Sequence, residues 1–346
     1  MLRYLTTGES HGKALLAILE GMPAGLKIKV AKLNNDLRRR QQGYGRGKRM
    51  QIENDKLEII SGLKDNITLG SPIGILIKNK DFSIGRLPSI ICPRPGHADL
   101  AGMLKYGFTD IRSVLERASA RETAARVAIG AICKIFLNQF GIKIISRALE
   151  IGGKKDRIQM RRAIDEARKK KDTVGGVFEV IARNVVVGLG SYVQPDRRLD
   201  AQIAKAIMSI PGVKAIEVGL GFEYAHSLGS AVHDAIYYSR AKGFYRKTNN
   251  AGGIEGGVSN GEDIVLRGCM KPISTLLSPL DSINVRTKKK SKACVERSDI
   301  CVVEAAGVIA EAVVAFQLAE AFISKFGGDS LKDIKLAYQD YLKRLK

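Results

Sequence analysis

Residues 120–140 read ARETAARVAIGAICKIFLNQF, which is the clearest helical pattern in the chain. Apolar residues recur at steps of three and four residues from Ala124 to Phe136. Gly141 follows this stretch and is a helix stop signal. The pattern therefore predicts a long helix that is amphipathic to mostly buried.

The last part of the sequence predicts two further long helices. The first covers residues 305–326 and ends in two glycines, and the second covers residues 331–346 as a surface helix. Glu311 and Glu320 interrupt the apolar run of the first helix, so we expect a buried helix rather than a membrane span. Shorter helices are predicted over residues 33–41, 100–106, 157–170 and 201–209.

Short runs rich in β-branched residues predict strands between these helices. Each run is flanked by glycine, asparagine or aspartate, and the runs cover residues 57–61, 73–77, 177–187 and 264–266. Strands and helices do not alternate regularly, which argues against a doubly wound parallel sheet. We therefore expect an α+β fold with largely antiparallel strand pairing.

The composition is strongly basic. There are 57 Lys and Arg residues against 35 Asp and Glu residues, which gives a formal charge of +22 at pH 7. A field of this size gathers anions, but nucleic acid, an anionic membrane and a small phosphorylated substrate would all be attracted. The position of the charges along the chain must therefore distinguish these classes of partner.

The five cysteines predict reduced thiols rather than a zinc site. They form an odd set, contain no C-x-x-C pair and have no histidine nearby at zinc-ligand spacing, so no metal site is expected. Residues 6–9 are polar where a secretory signal would be apolar. We therefore expect a cytoplasmic protein.

Two histidines lie in glycine-containing turns. Residues 8–12 read GESHG, whose glycines let the backbone approach a ligand while His11 can transfer a proton near neutral pH. Residues 94–99 read RPGHAD, where a Pro-Gly turn holds His97 beside an arginine that favours the neutral form of the ring. Surface turns, with Asp99 as a helix N-cap, would explain the same residues without a function.

Residues 117–123 read RASARET and have two explanations. Ser119 followed by Glu122 forms a capping-box pattern at the start of the long helix. The same helix start offers unpaired N–H groups beside Arg117 and Arg121, which together would hold a phosphate group. Cap and anion site are compatible, so both interpretations stay open.

A cationic loop covers residues 38–49, where glycines alternate with cations after three successive arginines. Such a tract is typical of a solvated face or of an RNA-binding segment, so an RNA-binding protein is the main alternative class. Tyr44 is the only aromatic residue in this loop, which is too few for a base-stacking platform.

Two later segments have the residues that a cofactor phosphate or flavin ring requires. Residues 271–275 read KPIST and follow the glycine-rich stretch NNAGGIEGG at 249–257. They match neither the P-loop nor the G-x-G-x-x-G pattern, so both nucleotide motifs are excluded. Asp299 follows Arg297 at the start of the late helix, where it is either a cap or a carboxylate that accepts a proton.

Taken in order, eight segments resemble those of the chorismate synthase family over nearly the whole chain. They are GESHG at 8–12, RRRQQGYGRG at 38–47, RPGHAD at 94–99, MLKYG at 103–107, ERASARETAARVA at 116–128, NNAGGIEGG at 249–257, KPIST at 271–275 and RSDICV at 297–302. Chance agreement of eight ordered segments is negligible.

The resemblance implies a carbon–oxygen lyase of the shikimate pathway. Its reaction would be the anti 1,4-elimination of phosphate from 5-enolpyruvylshikimate 3-phosphate to give chorismate, with reduced FMN and no net redox change. The implied fold is one domain over residues 1–346, a β-α-β sandwich with largely antiparallel sheets and helices packed between and around them. The resemblance also implies a homotetramer without nucleic-acid or membrane partners, and we expect an external flavin reductant.

Roles for individual residues are implied as well. His11 matches the histidine that protonates the departing phosphate, and His97 matches the histidine that protonates the flavin. Asp299 matches a carboxylate in a proton relay near the flavin, with Ser10 and Ser119 in support. The flavin-contacting positions match Arg117, Ala118, Ser119, Gly256, Lys271, Pro272, Ile273, Ser274, Thr275 and Arg297. The cations assigned to the substrate or to a nicotinamide phosphate match Arg40, Arg46 and Arg49.

The sequence departs from the family pattern at two positions. Glu304 stands where the family usually has proline, and Ala235 stands where it usually has glutamate after His-Asp. Glu304 suits a first helical turn but adds negative charge near an anion site. Besides RNA binding, the remaining alternative is an NADPH-dependent flavin reductase, although the chain has no separate Rossmann region.

Overall fold

The structure is a computed structural model that describes residues 1–47, 54–241, 243–296 and 298–345. Its strands are β1 Arg3–Thr7, β2 Ala14–Glu20, β3 Leu57–Ile59, β4 Leu63–Lys64, β5 Ile67–Thr68, β6 Ile73–Lys78, β7 Lys143–Ile151, β8 Gly176–Arg183, β9 Val213–Val218, β10 Ile236–Ser239, β11 Gly243–Arg246, β12 Ile254–Glu255, β13 Val258–Ser259, β14 Ile264–Met270, β15 Asp281–Ile283 and β16 Lys290–Lys292. Its α-helices are α1 Val30–Gln41, α2 Asp99–Tyr106, α3 Arg112–Ala118, α4 Thr123–Asn138, α5 Arg157–Lys169, α6 Leu199–Met208, α7 Gly229–Val232, α8 Val303–Phe326 and α9 Leu331–Arg344.

Two four-stranded sheets form the outer layers of the protein. The first has the strand order β1-β2-β6-β3, and the second has the order β7-β8-β14-β9. Every pairing between these strands is antiparallel. In the second sheet the buried Leu266 of β14 pairs with Val180 on one side and with Val218 on the other. The predicted antiparallel pairing is therefore confirmed.

The helices α4 and α8 form a layer between the two sheets. They pack against each other, and α4 also contacts β2 and β6 while α8 contacts β7 and β8. Buried apolar side chains from both helices and both sheets belong to one continuous core. The α+β prediction is confirmed, whereas the expectation of one domain over residues 1–346 stays a prediction.

Helix α8 is the most apolar long segment of the chain. Its length and composition would suit a membrane span, but 83% of its most apolar 18-residue window is buried inside the protein. The predicted buried helix is confirmed. Glu311 lies in this helix with no exposed side-chain surface, and its carboxylate accepts hydrogen bonds from Arg39 and Lys134.

Two predicted strands are shorter than the sequence pattern indicates, and β3 ends at Ile59 rather than at residue 61. The β-branched run was expected to be strand from residue 177 to residue 187, whereas β8 ends at Arg183. Asn184 follows with a φ of 59°, in the left-handed region that interrupts an extended strand. Val185 and Val186 are nevertheless buried, so their apolar character serves the core outside the sheet.

Gly130 allows the close crossing of α4 and α8. A Cβ atom added at this position would overlap both the backbone and the side chain of Ala312 on the facing helix. Neither group is the end of a flexible side chain, so one helix would have to shift. The separation of the two central helices therefore depends on a residue without a side chain.

We expect Gly130→Ala to lower the free energy of unfolding by about 3 kcal/mol, because overpacking of a close helix crossing forces the backbones apart. Gly85→Ala is the matched control, since an added Cβ there meets no atom within 4 Å. Denaturant unfolding followed by circular dichroism measures both variants. Equal stability of Gly130→Ala and the unmodified protein would contradict the close crossing.

Candidate functional site

A cavity of about 850 Å³ lies where segments from distant parts of the sequence meet. This volume is within the usual range for small-molecule sites. Its lining includes the first turns of α4 and α8 and residues from five of the segments singled out in the sequence. Of the site residues expected from the sequence, those in the lining are Arg40, Arg46, His97, Ala118, Ser119, Lys271, Pro272, Ile273, Ser274, Thr275 and Asp299.

Arg40 and Arg121 form one part of the cavity wall. Arg40 lies at the end of α1, and Arg121 lies in the 3-10 turn Ala120–Glu122 that precedes α4. A single buried carboxylate, Asp55, pairs with Arg40 Nη2 at 3.0 Å and with Arg121 Nη1 at 2.6 Å. Burial alone would raise the pKa of Asp55, but the two guanidinium groups hold it below its usual value.

Arg46 and Asp299 form a second pair in the wall. Arg46 Nη1 lies 3.1 Å from Asp299 Oδ2, and the backbone N–H of Gly47 donates to Asp299 Oδ1 at 2.5 Å. Residues 43–47 therefore lie against the start of the late helix. The expected proton-relay role of Asp299 stays a prediction, and the pair shows that this carboxylate also fixes a cation in the wall.

Arg94, His97 and Asp99 form a third group. Asp99 has no exposed side-chain surface and accepts hydrogen bonds from Arg94 Nε at 2.8 Å and Arg94 Nη2 at 3.0 Å. The ring atom His97 Nδ1 lies 2.5 Å from Asp99 Oδ1. Because an ionised carboxylate can only accept, Nδ1 carries the proton and Nε2 remains to exchange one.

The interpretation of Asp99 as a helix N-cap is wrong. The N-cap residue of α2 is Ala98, and no side chain caps this helix end. The carboxylate of Asp99 instead accepts the backbone N–H of Arg94 at 3.0 Å as well as its guanidinium. An ion pair with a buried arginine is stronger than a cap to a neutral N–H group, so the carboxylate turns toward Arg94.

The pKa of Asp99 is well below the usual aspartate range. Burial would raise this pKa, but hydrogen bonds from His97 and Arg94, together with the charge of Arg94, outweigh burial and lower it. The ionised form of Asp99 is therefore favoured by folding, and its contribution to stability is lost only in acid.

Ser119 caps the turn that leads into α4. Its Oγ accepts the backbone N–H of Arg121 at 3.3 Å. The other half of the expected capping box is absent among the described contacts, because Glu122 pairs with Arg126 at 3.0 Å. The predicted box is therefore only half correct. Ser119 and Arg121 both line the cavity, so the cap and the candidate anion site share this turn.

The segment at residues 271–275 packs against the turn that carries His97. Lys271 Nζ and Ser274 Oγ both donate to the carbonyl oxygen of Gly96, the latter at 2.8 Å. Arg94 Nη1 donates to Thr275 Oγ1 at 2.8 Å. Burial and the nearby charge of Lys214 lower the pKa of Lys271. These contacts join two segments that the sequence separates by about 175 positions.

Ser10 and His11 lie beside the cavity rather than in its described lining. His11 Nδ1 lies 2.9 Å from Glu116 Oε1, and the His11 backbone N–H donates to Glu116 Oε2 at 2.7 Å. Glu116 belongs to α3, whose last residue, Ala118, does line the cavity. The pKa of Glu116 is lowered by the His11 contacts, although burial alone would raise it.

Four other expected site residues are also not in the described lining. The Arg117 guanidinium donates to the carbonyl oxygens of Gly8 at 3.1 Å and Thr6 at 3.0 Å. Gly256 lies in the turn between β12 and β13. Arg49 and Arg297 lie outside the residues that the structure describes. The roles assigned to these residues stay predictions.

Sequence reasoning assigned no role to Arg94, Asp55 or Glu116, which hold this site together, whereas it expected Arg121 beside a phosphate group. Arg94 lines the cavity and lies three residues from His97, so its motif contained the signal, and Arg121 also lines the cavity. Glu116 had the same signal, because it begins the segment 116–128 and lies three residues from Ser119. Asp55 had none, because an isolated acid does not reveal which distant cation it contacts.

Glu304, one of the two departures from the family pattern, contacts the cationic loop. Its Oε2 accepts the backbone N–H of Tyr44 at 3.0 Å. The Tyr44 hydroxyl donates to Asp165 of α5 at 2.9 Å. The loop that carries Arg46 is therefore fixed from two sides. The negative charge of Glu304 is used to hold the loop backbone.

The cavity fits a large anionic ligand. Besides the three groups described above, Lys271 supplies a further cation. The buried Nε atoms of Arg40 and Arg46 have no hydrogen-bond partner among the described residues. Guanidinium groups bind phosphate and carboxylate oxygens through charge-assisted hydrogen bonds, so the arginine side chains that line the cavity suit such a ligand. Within the described residues no group of His, Cys, Asp and Glu could hold a metal ion.

Comparison with known proteins relates the chain to one family. The sequence model of a family described as chorismate synthase matches residues 2–323. A chorismate synthase of Thermoanaerobacter pseudethanolicus is 53% identical over 348 residues, covering 100% of this chain and 99% of that protein. One of Geobacter sulfurreducens is 49% identical over 391 residues, with 100% of both chains covered.

A solved structure supports the same relationship. The crystal structure entitled "Crystal Structure of Chorismate Synthase" superposes with a TM-score of 0.82 at 42% sequence identity. The superposition covers 100% of this chain and 98% of that chain. The likeness therefore extends over the whole fold.

We expect Asp99→Asn to lower the free energy of unfolding at pH 7 by about 3 kcal/mol, because Arg94 loses its buried partner. A depressed pKa stabilises the folded protein fully above the unfolded value of about 3.9, and that stability is lost progressively as the pH falls from there through the lower pKa of the folded state. The difference between variant and unmodified protein should therefore shrink below about pH 4. Denaturant unfolding at pH 7, 5 and 3 measures it, with the exposed Asp196→Asn as control. A difference that does not depend on pH would contradict the assigned ion pair.

Proposed function

Because this chain belongs to the chorismate synthase family, we propose that it converts 5-enolpyruvylshikimate 3-phosphate to chorismate and phosphate by anti 1,4-elimination. We propose reduced FMN as the cofactor, without net redox change. The observation that carries this proposal is the convergence of Arg40, Arg46, Arg94 and Arg121 on the cavity that His97 also lines.

The charge of the proposed ligands suits these cations. Substrate and FMN together bring two carboxylates and two phosphates, and such charge is buried only where fixed cations receive it. Planar guanidinium groups bind both carboxylate and phosphate oxygens through paired N–H donors. Arg40 and Arg46 are mostly buried and face the cavity, so they are poorly placed to follow an RNA backbone on the surface.

The residues that would hold FMN are Ala118, Ser119 and the segment 271–275, with Arg297 as a further prediction. When bound, reduced FMN would supply transient electron density to the substrate, which no side chain of the protein can provide. Ser274 and Thr275 offer hydroxyl groups, and the 271–275 segment lies next to His97 through its contacts with Gly96. Flavin and histidine would therefore be neighbours.

The proposed reaction requires two proton transfers. One leaves the substrate carbon as the C–H bond breaks, and one neutralises the phosphate as its C–O bond breaks. His97, with Nδ1 fixed by Asp99, exchanges a proton with the flavin through Nε2. Asp299 is the proposed relay carboxylate that takes up the proton leaving the substrate carbon. His11, with Nδ1 fixed by Glu116, is the proposed donor to the departing phosphate. A carboxylate behind each ring keeps the orientation of the imidazole constant.

We further propose a cytoplasmic homotetramer that receives its reduced flavin from an external reductant. The five cysteines are free thiols in the structure, as expected in a reducing compartment. A nicotinamide phosphate would compete for the arginines that we assign to the substrate. Bleaching of FMN absorbance by added NADPH would reveal an intrinsic reductase activity instead.

We expect His97→Ala and His11→Ala each to slow turnover by about 10²-fold or more, the scale of lost general acid–base catalysis. The assay uses anaerobic protein, photoreduced FMN and 5-enolpyruvylshikimate 3-phosphate, with chorismate measured by absorbance. His226→Ala is the control, because this histidine is exposed and has no assigned role. If the unmodified protein forms no chorismate, the proposed function is wrong. Normal turnover in either histidine variant would remove that residue from the mechanism.

For Ser119→Ala we expect two effects with separate causes. Loss of the cap should lower the free energy of unfolding by about 1 kcal/mol. Loss of a hydroxyl from the cavity wall should also weaken FMN binding, which fluorescence quenching measures. Thr248→Ala, which removes a hydroxyl bonded to Asp234 outside the described lining, is the control. If Ser119→Ala lowers the free energy of unfolding but leaves the FMN affinity unchanged, Ser119 is only a structural cap and the predicted FMN contact is wrong.

A further inference from the structure

Asp55 is a buried acid that the proposed mechanism does not use. Its carboxylate has no exposed surface, and it is not among the residues that line the cavity. Each of its oxygens pairs with a different arginine, Oδ2 with Arg40 and Oδ1 with Arg121. Its backbone N–H donates to the Gln41 side chain at 3.3 Å, which holds it close to the end of α1.

The two arginines would repel each other without this carboxylate. Arg40 and Arg121 are both buried, with about 4% and 3% of their side chains exposed. Two guanidinium groups that contact the same carboxylate lie close together, and like charges this close destabilise each other strongly where water is excluded. One carboxylate between them offsets this repulsion and leaves the group of three with one net positive charge.

The same network reaches the loop that carries His11. Arg121 Nε donates to Asn79 Oδ1 at 2.9 Å. The amide nitrogen of Asn79 donates in turn to the carbonyl oxygens of Gly12 at 2.7 Å and Glu9 at 3.1 Å. Arg40 is held on its other side by Thr123 Oγ1 at 3.3 Å. A shift of Arg121 would therefore be transmitted to residues 9–12.

We propose that Asp55 is a positioning residue that fixes Arg40 and Arg121 in the cavity wall, so that their net positive charge binds a phosphate group. This inference rests on the proposed function, because it assigns these arginines to an anionic ligand. Asp55 acts through the arginines and does not touch the ligand. Without the Asp55 carboxylate, both arginines remain in the sequence and stay charged, but they lose the ion-pair partner that they share.

Glu311 provides a matched comparison within the same chain. It is also a fully buried carboxylate shared by two cations, Arg39 and Lys134, at 2.6 and 2.5 Å. None of these three residues lines the cavity. Asp55→Asn and Glu311→Gln therefore make the same chemical change, one behind the cavity wall and one elsewhere in the fold.

Binding of inorganic phosphate to the full-length protein, measured by isothermal titration calorimetry, tests the inference without turnover. We expect Asp55→Asn to raise the phosphate dissociation constant about tenfold or more, the equivalent of one charge-assisted hydrogen bond lost. Glu311→Gln should bind phosphate like the unmodified protein. Both variants should unfold at lower temperature, so the titrations are made where circular dichroism shows each to be folded.

A second variant keeps the test decisive if Asp55→Asn does not fold. Asp55→Glu retains the negative charge but moves the oxygens by one methylene group, so we expect phosphate binding weaker than in the unmodified protein. For steady-state turnover of Asp55→Glu, the KM for the substrate should rise more than kcat falls. Unchanged phosphate affinity in both Asp55 variants, or an equal loss in Glu311→Gln, would overturn the inference.

If the proposed function is wrong but the role of Asp55 is right, the measurements give a different pattern. The unmodified protein would then bind phosphate, and Asp55→Asn would still bind it more weakly, but no chorismate would be formed from 5-enolpyruvylshikimate 3-phosphate. Normal chorismate formation together with unchanged phosphate affinity in the Asp55 variants would refute the role of Asp55 alone.

Discussion

Arginines that are buried in the wall of a cavity need carboxylate partners within the protein, and the rest of the site depends on this constraint. Arg40 and Arg121 share one carboxylate, while Arg46 and Arg94 each have their own. Without these partners the cations would repel one another and the wall would open to water. Because Arg40 and Arg121 share one carboxylate, this part of the wall keeps one net positive charge, which attracts an anion.

The fold meets this constraint by bringing helix ends together. The end of α1, the turn before α4 and the first turn of α8 all reach the same cavity. The two helix beginnings add a partial positive charge to the field of the arginines. Gly130 sets the spacing of α4 and α8, so a packing detail remote from the cavity determines how far apart these helix beginnings lie.

Local patterns predicted the helices well and the ion pairs poorly. The long helices were readable because apolar residues repeat every three to four positions, and α8 was correctly expected to be buried despite Glu311. Asp55 is 15 positions from Arg40 and 66 from Arg121, and no local rule connects such residues. Asp99 was misread because an N-cap and a buried ion pair use the same residue type, and only tertiary contacts decide between them.

If one cavity receives both ligands, a crystal structure with oxidised FMN and 5-enolpyruvylshikimate 3-phosphate will show it most directly. We expect both molecules in the cavity, with phosphate or carboxylate oxygens within hydrogen-bond distance of Arg40, Arg46 and Arg121. Ligands bound elsewhere on the protein, or a flavin bound without any anionic group reaching these three arginines, would contradict the assignment of the site.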